Sequence, residues 1–406
     1  MARGENGGGI LKQPMAVWAT AFAAVVAFMG IGLVDPILPS IAKGLDASPS
    51  QVSMLFTSYF LITAVAMLVT GFVSSRIGGR RTLLLGLALV VVFAALSGTS
   101  DSVGQLVGFR AGWGLGNALF VSTSLAVIVG AASGGSAAAI LLYESALGLG
   151  MSCGPLLGAV LGDASWRYPF YGTAALMAIG FAAITVFLED QPRPARKTGL
   201  LDPLKALGHK GLAATAGSAF FYNYAFFTVL AFTPFVLDMS PYRSGAVFFA
   251  WGILLALFSV LVAPRLQSRF GSVAVAATSL VLFAADLAVI AYGSKTVIVT
   301  GVIVSGALIG VNNTVFTELA LEVSDAPRPV ASAGYNFVRW FAAAAAPYLA
   351  PKLHEHFNVH VPFLVATGTC LAAAGVLAGA HRLLATASAD QAPAAAATPH
   401  PVPAAG

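Results

Sequence analysis

Six ionisable residues stand inside long apolar stretches of this chain: Asp35, Arg110, Glu144, Asp286, Glu318 and Arg339. A charge in hydrocarbon costs several kcal/mol, so such residues are paired or functional. Carboxylates and arginines together suit one kind of chemistry. A carboxylate takes up and releases a proton while a guanidinium alternates between it and another partner. Asp35 lies roughly 9 Å below the outer end of its stretch and Arg110 roughly 12 Å below, at 1.5 Å per helical residue. Their similar depth predicts a pair, with Asp35 titrating and Arg110 as its partner. A low-dielectric site favours a neutral acid and a nearby cation favours a carboxylate, so changing access switches between the two. Glu144 stands three helical turns before Pro155 on the same face, as a second coupling candidate or a contact for a cationic cargo. Glu318 and Arg339 are expected to form a structural charge pair, and Asp286 to be structural. Other chemistries lack their residues. The histidines at 209, 354, 356, 360, 381 and 400 fall in loops or near ends. They leave Ser133 without a general base and offer no metal site. Cys153 and Cys370 are not at metal-ligand spacing.

The elements that hold these residues follow from composition. Of 406 residues, 58% are hydrophobic and 9% charged, against roughly 25% charged in a soluble domain. That excludes a soluble enzyme, a disordered chain and a nucleic-acid-binding module. Apolar runs of about 20 residues number twelve: about 15–38, 51–74, 82–100, 103–129, 137–161, 168–188, 212–236, 244–263, 272–292, 296–319, 329–350 and 361–384. An all-α membrane protein with twelve transmembrane helices is expected, since a barrel would show short alternating strands.

Orientation follows from Lys and Arg. With both termini cytoplasmic, outer loops hold only Lys43, Arg167, Arg243, Lys295 and Lys352. Arg110 and Arg339 lie within spans, and the rest of the 21 basic residues are cytoplasmic. The expected organisation is a cytoplasmic N-terminus (1–14), a six-helix bundle (15–188), a Pro-rich basic linker (189–211), a second six-helix bundle (212–384) and a disordered tail (385–406). The halves are related by repeats. Ser75-Arg76-Ile77-Gly78 returns as Ser268-Arg269-Phe270-Gly271, and Gly154-Pro155 returns as Ala346-Pro347. Two pseudo-symmetric bundles suggest a transporter with its site between them.

Several motifs resemble the major facilitator superfamily. Gly71 to Arg81, with Arg76, Gly78, Arg80 and Arg81, is similar to its signature loop between spans 2 and 3. Arg110 with Gly114 and Gly116 resembles its span-4 motif. Gly148, Gly150, Gly154-Pro155 and Gly158 resemble the span-5 motif of proton-driven exporters. Asp35-Pro36-Ile37-Leu38-Pro39 resembles the end of span 1 in twelve-span drug/proton antiporters. Asn312-Asn313-Thr314 through Glu318, then Arg328-Pro329 and Tyr335 to Trp340, are similar to a bacterial multidrug-resistance subgroup. The resemblance implies conformational gating by the signature loop and by Gly150, Gly154, Pro155 and Gly158. Ser75 stands where the family usually has an Asp that ties this loop to a neighbouring helix, leaving Arg76, Arg80 and Arg81 to act through helix C-termini or anionic lipid.

Polar and aromatic groups at span depth form the expected substrate cavity: Tyr222, Asn223, Tyr224, Asn117, Asn312, Asn313, Tyr335 and Asn336. Aromatic walls with few hydrogen bonds and one or two carboxylates suit amphipathic or cationic organic molecules. The expected function is multidrug efflux: export of such molecules in exchange for protons, with no enzyme activity, no cofactor beyond the proton gradient and no metal. Expected partners are the small-molecule substrate, protons and lipid, with no nucleic acid, in a monomer of the bacterial inner membrane. A dedicated metabolite or siderophore exporter, or an uptake symporter, is the alternative. No P-loop is present to couple ATP.

Overall fold

The computed structural model describes residues 13–132, 136–190, 197–324 and 326–390, without the side chains at 136–141, 144, 328, 382, 383 and 385–390. Twelve long helices cross in succession. They are α1 (Met15–Gly44), α2 (Pro49–Ile77), α3 (Gly79–Gly98), α4 (Val103–Ala131), α5 (Ser136–Ala164), α6 (Tyr168–Phe187), α7 (Lys210–Leu237), α8 (Pro241–Phe270), α9 (Ser272–Tyr292), α10 (Lys295–Glu322), α11 (Arg328–His356) and α12 (Val361–Asp390). No strand occurs among the described residues. Eleven of these helices are long and apolar enough to cross a membrane. The twelfth, α11, has 29 residues, about 44 Å at 1.5 Å each. It carries Ser332, Asn336 and Arg339 within its first half and Lys352, His354, Glu355 and His356 near its far end. Such a sequence suits a helix that keeps one face inside a bundle.

Two elements differ from the expected boundaries. The last helix continues to Asp390, so the first residues of the expected tail are helical; Ala-rich sequence favours helix when no Pro interrupts it. Residues 391–406 lie outside the described residues, as do 1–12 and 191–196. The linker contains a short helix, Asp202–Ala206, started where Asp202 accepts the Gly199 N–H at 2.7 Å.

The two six-helix bundles are pseudo-symmetric down to single residues. Among the described residues, positive φ occurs at four places: Asp46, Gly78, Asp238 and Gly271. Asp46 and Asp238 follow the first helix of each bundle, 192 residues apart. Gly78 and Gly271 join the second and third helices of each bundle. Their φ of 90° and 81° is a region that glycine enters without steric cost. Ser48 and Ser240 cap α2 and α8 in the same way, each accepting a backbone N–H three residues on, with Pro next in sequence.

The bundles meet along two helix pairs, α2 with α11 and α5 with α8. Thr57 of α2 donates to Ala344 O of α11 at 2.9 Å. Aromatic rings add to this boundary. Phe60 of α2 lies 4.5 Å from Phe227 of α7 and 5.2 Å from Trp340 of α11, centroid to centroid. For orientation, the face carrying the 189–211 linker is called the linker face and the opposite one the far face.

Candidate transport site

α1 is not one unbroken α-helix. It tightens to a 3₁₀ turn at Asp35–Ile37, with Pro36 at its start. Pro36 lacks an N–H and so interrupts the regular ladder. The turn packs against α5 within its own bundle and against α7 and α8 across the boundary. Asp35 is therefore held at the junction of the halves and is fully buried, and neither carboxyl oxygen has a hydrogen-bond partner among the described residues.

Arg110, on α4, is also fully buried. It lies close enough to Asp35 for each to feel the other's charge, yet no ion pair joins them. Its guanidinium stacks on two rings instead, 4.4 Å from the Tyr59 centroid and 4.5 Å from that of Trp113. Cation–π contacts of this kind are worth about 2 kcal/mol or more when desolvated. All three guanidinium nitrogens lack hydrogen-bond partners, as do Tyr59 Oη, Trp113 Nε1 and Asn117 Oδ1. Asn117 follows Arg110 by two turns on the same face of α4. This bundle thus holds a cation on an aromatic cradle with an unpaired carboxyl group nearby. Trp113, three residues after Arg110, was within reach of helical periodicity. Tyr59 belongs to another helix, and no local pattern points to it.

A second cluster lies in the other bundle. Tyr222 of α7 stacks on Phe316 of α10 at 5.6 Å and donates to Ile309 O at 3.4 Å. Asn312 lies between these two α10 residues on the same face, fully buried, with neither side-chain polar atom bonded. Tyr335 and Arg339 of α11 complete the cluster; both are within electrostatic reach of Tyr222. The Tyr335 hydroxyl lies against the Arg339 and Thr317 side chains without a well-formed hydrogen bond, and Arg339 Nε is buried and unbonded.

The other expected cavity residues of this bundle are held differently. Asn223 donates to Ala219 O of its own helix at 2.8 Å, and Asn336 to Ser332 Oγ at 3.2 Å. Tyr224 and Asn313 are turned about the helix axis from Tyr222 and Asn312, because successive helical residues differ by 100°. The expected Glu318–Arg339 pair is not formed. Glu318 accepts from Gln267 Nε2 of α8 at 2.5 Å, and no carboxylate among the described residues pairs with Arg339. The reason is depth. Glu318 is about 6 Å from the end of α10, whereas Arg339 is about 16 Å into α11. The Glu144 side chain lies outside the described residues. Asp286 sits between α9 and α10, with its Oδ1 3.1 Å from where a Cβ on Gly301 would stand.

The glycines of α5 serve two different neighbours. A Cβ on Gly150 would stand 2.5 Å from Val25 O, one on Gly154 2.5 Å from Met29 O, and one on Gly158 would collide with Leu33 O. These three let α5 lie against the backbone of α1, directly before the Asp35 turn. The boundary with α8 is made by Gly148, whose Cβ position is 3.0 Å from Ala256 Cβ, and by glycines of α8 itself. Gly252 faces Ser152, and Gly245 faces Pro155. Pro155 also lies 3.1 Å from the Cβ position of Gly32 on α1.

At the linker face, Arg76 stacks 3.3 Å from the Phe72 centroid and donates to Phe72 O at 3.0 Å and to Thr198 O of the linker at 3.4 Å. Gly71 also faces Thr198. Arg80 donates to Thr185 O at 2.9 Å, in the last turn of α6, and lies 3.7 Å from Asp190. Ser75 bonds only within its own helix, to Phe72 O at 3.0 Å. Arg81 is exposed. The linker helix in turn meets the second bundle, where a Cβ on Gly334 of α11 would stand 2.6 Å from Pro203 O.

The family model of the Major Facilitator Superfamily matches residues 20–347. The chain belongs to that superfamily. It is 52% identical over 359 residues to the multidrug efflux protein YfmO of Bacillus subtilis (strain 168), covering 88% of this chain and 91% of the relative. It is 32% identical over 172 residues to the tetracenomycin C resistance and export protein of Streptomyces glaucescens, covering 40% of this chain and 32% of that one. Among solved structures it is similar to a D-xylose-proton symporter, with a TM-score of 0.73 at 16% identity, covering 89% of this chain and 96% of that one. It is also similar to the human organic anion transporter MFSD10 (TETRAN), with a TM-score of 0.72 at 19% identity, covering 89% and 99%. Those titles name unlike cargoes on one architecture, so the shared fold says nothing of what this superfamily member carries. As a member of this superfamily and a close relative of a multidrug efflux protein, the chain is a multi-pass membrane transporter of small molecules and not an enzyme.

Proposed function

We propose that this transporter exports amphipathic organic molecules in exchange for protons, with Asp35 carrying the proton and Arg110 answering its charge. The supporting observation is Asp35 itself, a fully buried carboxyl group with both oxygens unbonded, on a turn that touches both bundles. A buried carboxylate without a partner is costly, whereas a protonated carboxyl is far less so. In the cycle, Asp35 holds its proton while the turn is packed against α7 and α8. Loss of the proton to the cytoplasm creates a carboxylate that draws Arg110 off the Tyr59 and Trp113 rings, and the vacated cradle accepts cargo. Cargo and proton thus compete for one arrangement, and each crosses only in exchange for the other. Glu144 remains a second candidate for the same role.

The 52% identical relative, named a multidrug efflux protein, supports drugs as the cargo over a single metabolite. The Lys and Arg distribution supports an inner-membrane orientation with the linker face and both termini cytoplasmic, and a monomer surrounded by lipid has all the groups this cycle requires. The test uses inverted membrane vesicles energised to a proton gradient. Asp35→Asn is expected to insert normally and to lose both drug uptake into the vesicles and drug-induced proton release. Proton release by Asp35→Asn at the wild-type rate refutes the assignment.

A further inference from the structure

Arg339 has no role in that cycle, and its surroundings are unlike those of Arg110. It stands about 16 Å along α11, well inside the helix. Its flanking rings are more distant, with centroids 5.3 Å away at Trp340 and 6.0 Å away at Tyr335. No carboxylate among the described residues pairs with it. The repeat shows that the fold does not require it, because the equivalent position of the first bundle, 192 residues earlier, is Leu147. Tyr335, by contrast, is matched there by Tyr143. The arginine is therefore an addition to the second bundle and not part of the duplicated scaffold.

The polar side chains of its cluster have hydrogens to give, and Asn312 offers an acceptor as well. Arg339 offers N–H groups only, and it cannot be neutralised in a protein. The Tyr335 hydroxyl, 2% exposed as a residue, lies against the Arg339 and Thr317 side chains without a well-formed hydrogen bond to either. The Asn312 amide is fully buried and unbonded on both atoms. The flat stack of Tyr222 on Phe316, inclined by only 6°, lies beside them. A fixed positive charge beside side chains that can donate calls for an anionic acceptor, and a planar guanidinium matches a carboxylate in a two-pronged geometry. The stacked rings call for a flat apolar body attached to it.

We infer that the second bundle holds a recognition site for an aromatic organic carboxylate, with Arg339 and Tyr335 binding the acid group, Asn312 bonding beside it, and Tyr222 and Phe316 carrying the ring. This deepens the export reading and rests on it. It narrows the cargo from amphipathic molecules in general to acids and zwitterions, and it moves cations out of the preferred class. Arg339 is a binding residue on this account.

The test compares 1-pyrenebutyric acid with its methyl ester, which keeps the ring and loses the charge. Binding to the purified full-length chain in detergent at neutral pH is read from pyrene fluorescence anisotropy. The wild type is expected to bind the acid at least tenfold tighter than the ester. Arg339→Gln is expected to erase that ratio with the ester affinity changed less than twofold, Arg339→Lys to restore part of it, and Tyr335→Phe to reduce it about threefold. Equal wild-type affinity for acid and ester overturns the inference, and so does an Arg339→Gln variant that loses both equally. If Arg339→Gln does not fold, the Tyr335→Phe ratio decides, and an unchanged ratio overturns the inference. Ethidium efflux from cells reports separately on the export reading. Efflux of ethidium by a chain that does not prefer the acid leaves export standing and removes the carboxylate site, whereas failure to export any organic probe removes the export reading itself.

Discussion

Pro155 turns its carbonyl toward Gly245, leaving 2.8 Å between that oxygen and the point where a Cβ on Gly245 would stand. This contact joins the two bundles at the helix that also backs the Asp35 turn, because Pro155 is 3.1 Å from the Cβ position of Gly32, three residues before Asp35. Motion at Asp35 therefore reaches the boundary between the halves through Pro155 as well as through the turn's own contacts with α7 and α8. A side chain at Gly245 forces α5 and α8 apart, since packed interfaces do not deform continuously. Gly245→Leu is expected to lower export more than tenfold while membrane insertion stays normal. Dye accumulation in cells and membrane yield measure the two, and full export by Gly245→Leu contradicts a close approach at this point.

The span-5 motif was legible as a string of small residues around a proline, but its division of labour was not. Helical spacing places Gly150, Gly154 and Gly158 on one face, yet only the tertiary structure shows that this face receives α1 and that α8 brings its own glycines. The same limit applies elsewhere. Twelve crossings follow from the length of apolar runs, and the repeat follows from Ser75–Gly78 and Ser268–Gly271. The pairing of Asp46 with Asp238 is invisible until φ angles are known. Arg110 stands out in the sequence by its cost in hydrocarbon, but its cradle includes Tyr59, about fifty residues away in sequence, and burial cost carries no information about what a charge rests on.

The cradle makes lysine a poor substitute. An ammonium is a compact, strongly hydrated charge and cannot lie flat between two rings as a guanidinium does. Arg110→Lys is expected to reduce proton-coupled export at least tenfold although the formal charge is kept. Tyr59→Leu, which removes one ring, should also lower it, by about thirtyfold, in line with about 2 kcal/mol for one desolvated cation–π contact. Initial rates of drug-induced proton movement in vesicles measure both, and wild-type rates for Arg110→Lys would show that the charge alone matters.

At the linker face, the three arginines of the signature loop are not equivalent. Arg80 holds Thr185 O at the C-terminal end of α6, where a cation meets the negative end of the helix dipole. Its ion pair with Asp190 is largely exposed and adds little. Arg81 is exposed to solvent. Arg80→Gln is expected to cost about 1 kcal/mol of stability and to lower the thermal midpoint of the purified protein. Arg81→Gln should stay within about 0.5 kcal/mol of wild type. Equal shifts in the two variants would mean that the loop acts only through its total charge.

Glu318 and Arg339 look like natural partners in sequence, because they are charges of opposite sign within successive apolar stretches. Their difference in depth, about 10 Å along the bundle, separates them, and Gln267 takes the carboxylate instead. A double-mutant cycle states this as an energy. Glu318→Gln combined with Arg339→Gln should show additive effects on thermal stability within about 0.5 kcal/mol, as independent sites do. Glu318→Gln combined with Gln267→Ala should be non-additive by about 0.5 kcal/mol or more, since the two side chains share one bond. A coupling above 1 kcal/mol between Glu318 and Arg339 would restore the ion pair, return Arg339 to the scaffold and remove the free cation on which carboxylate recognition depends.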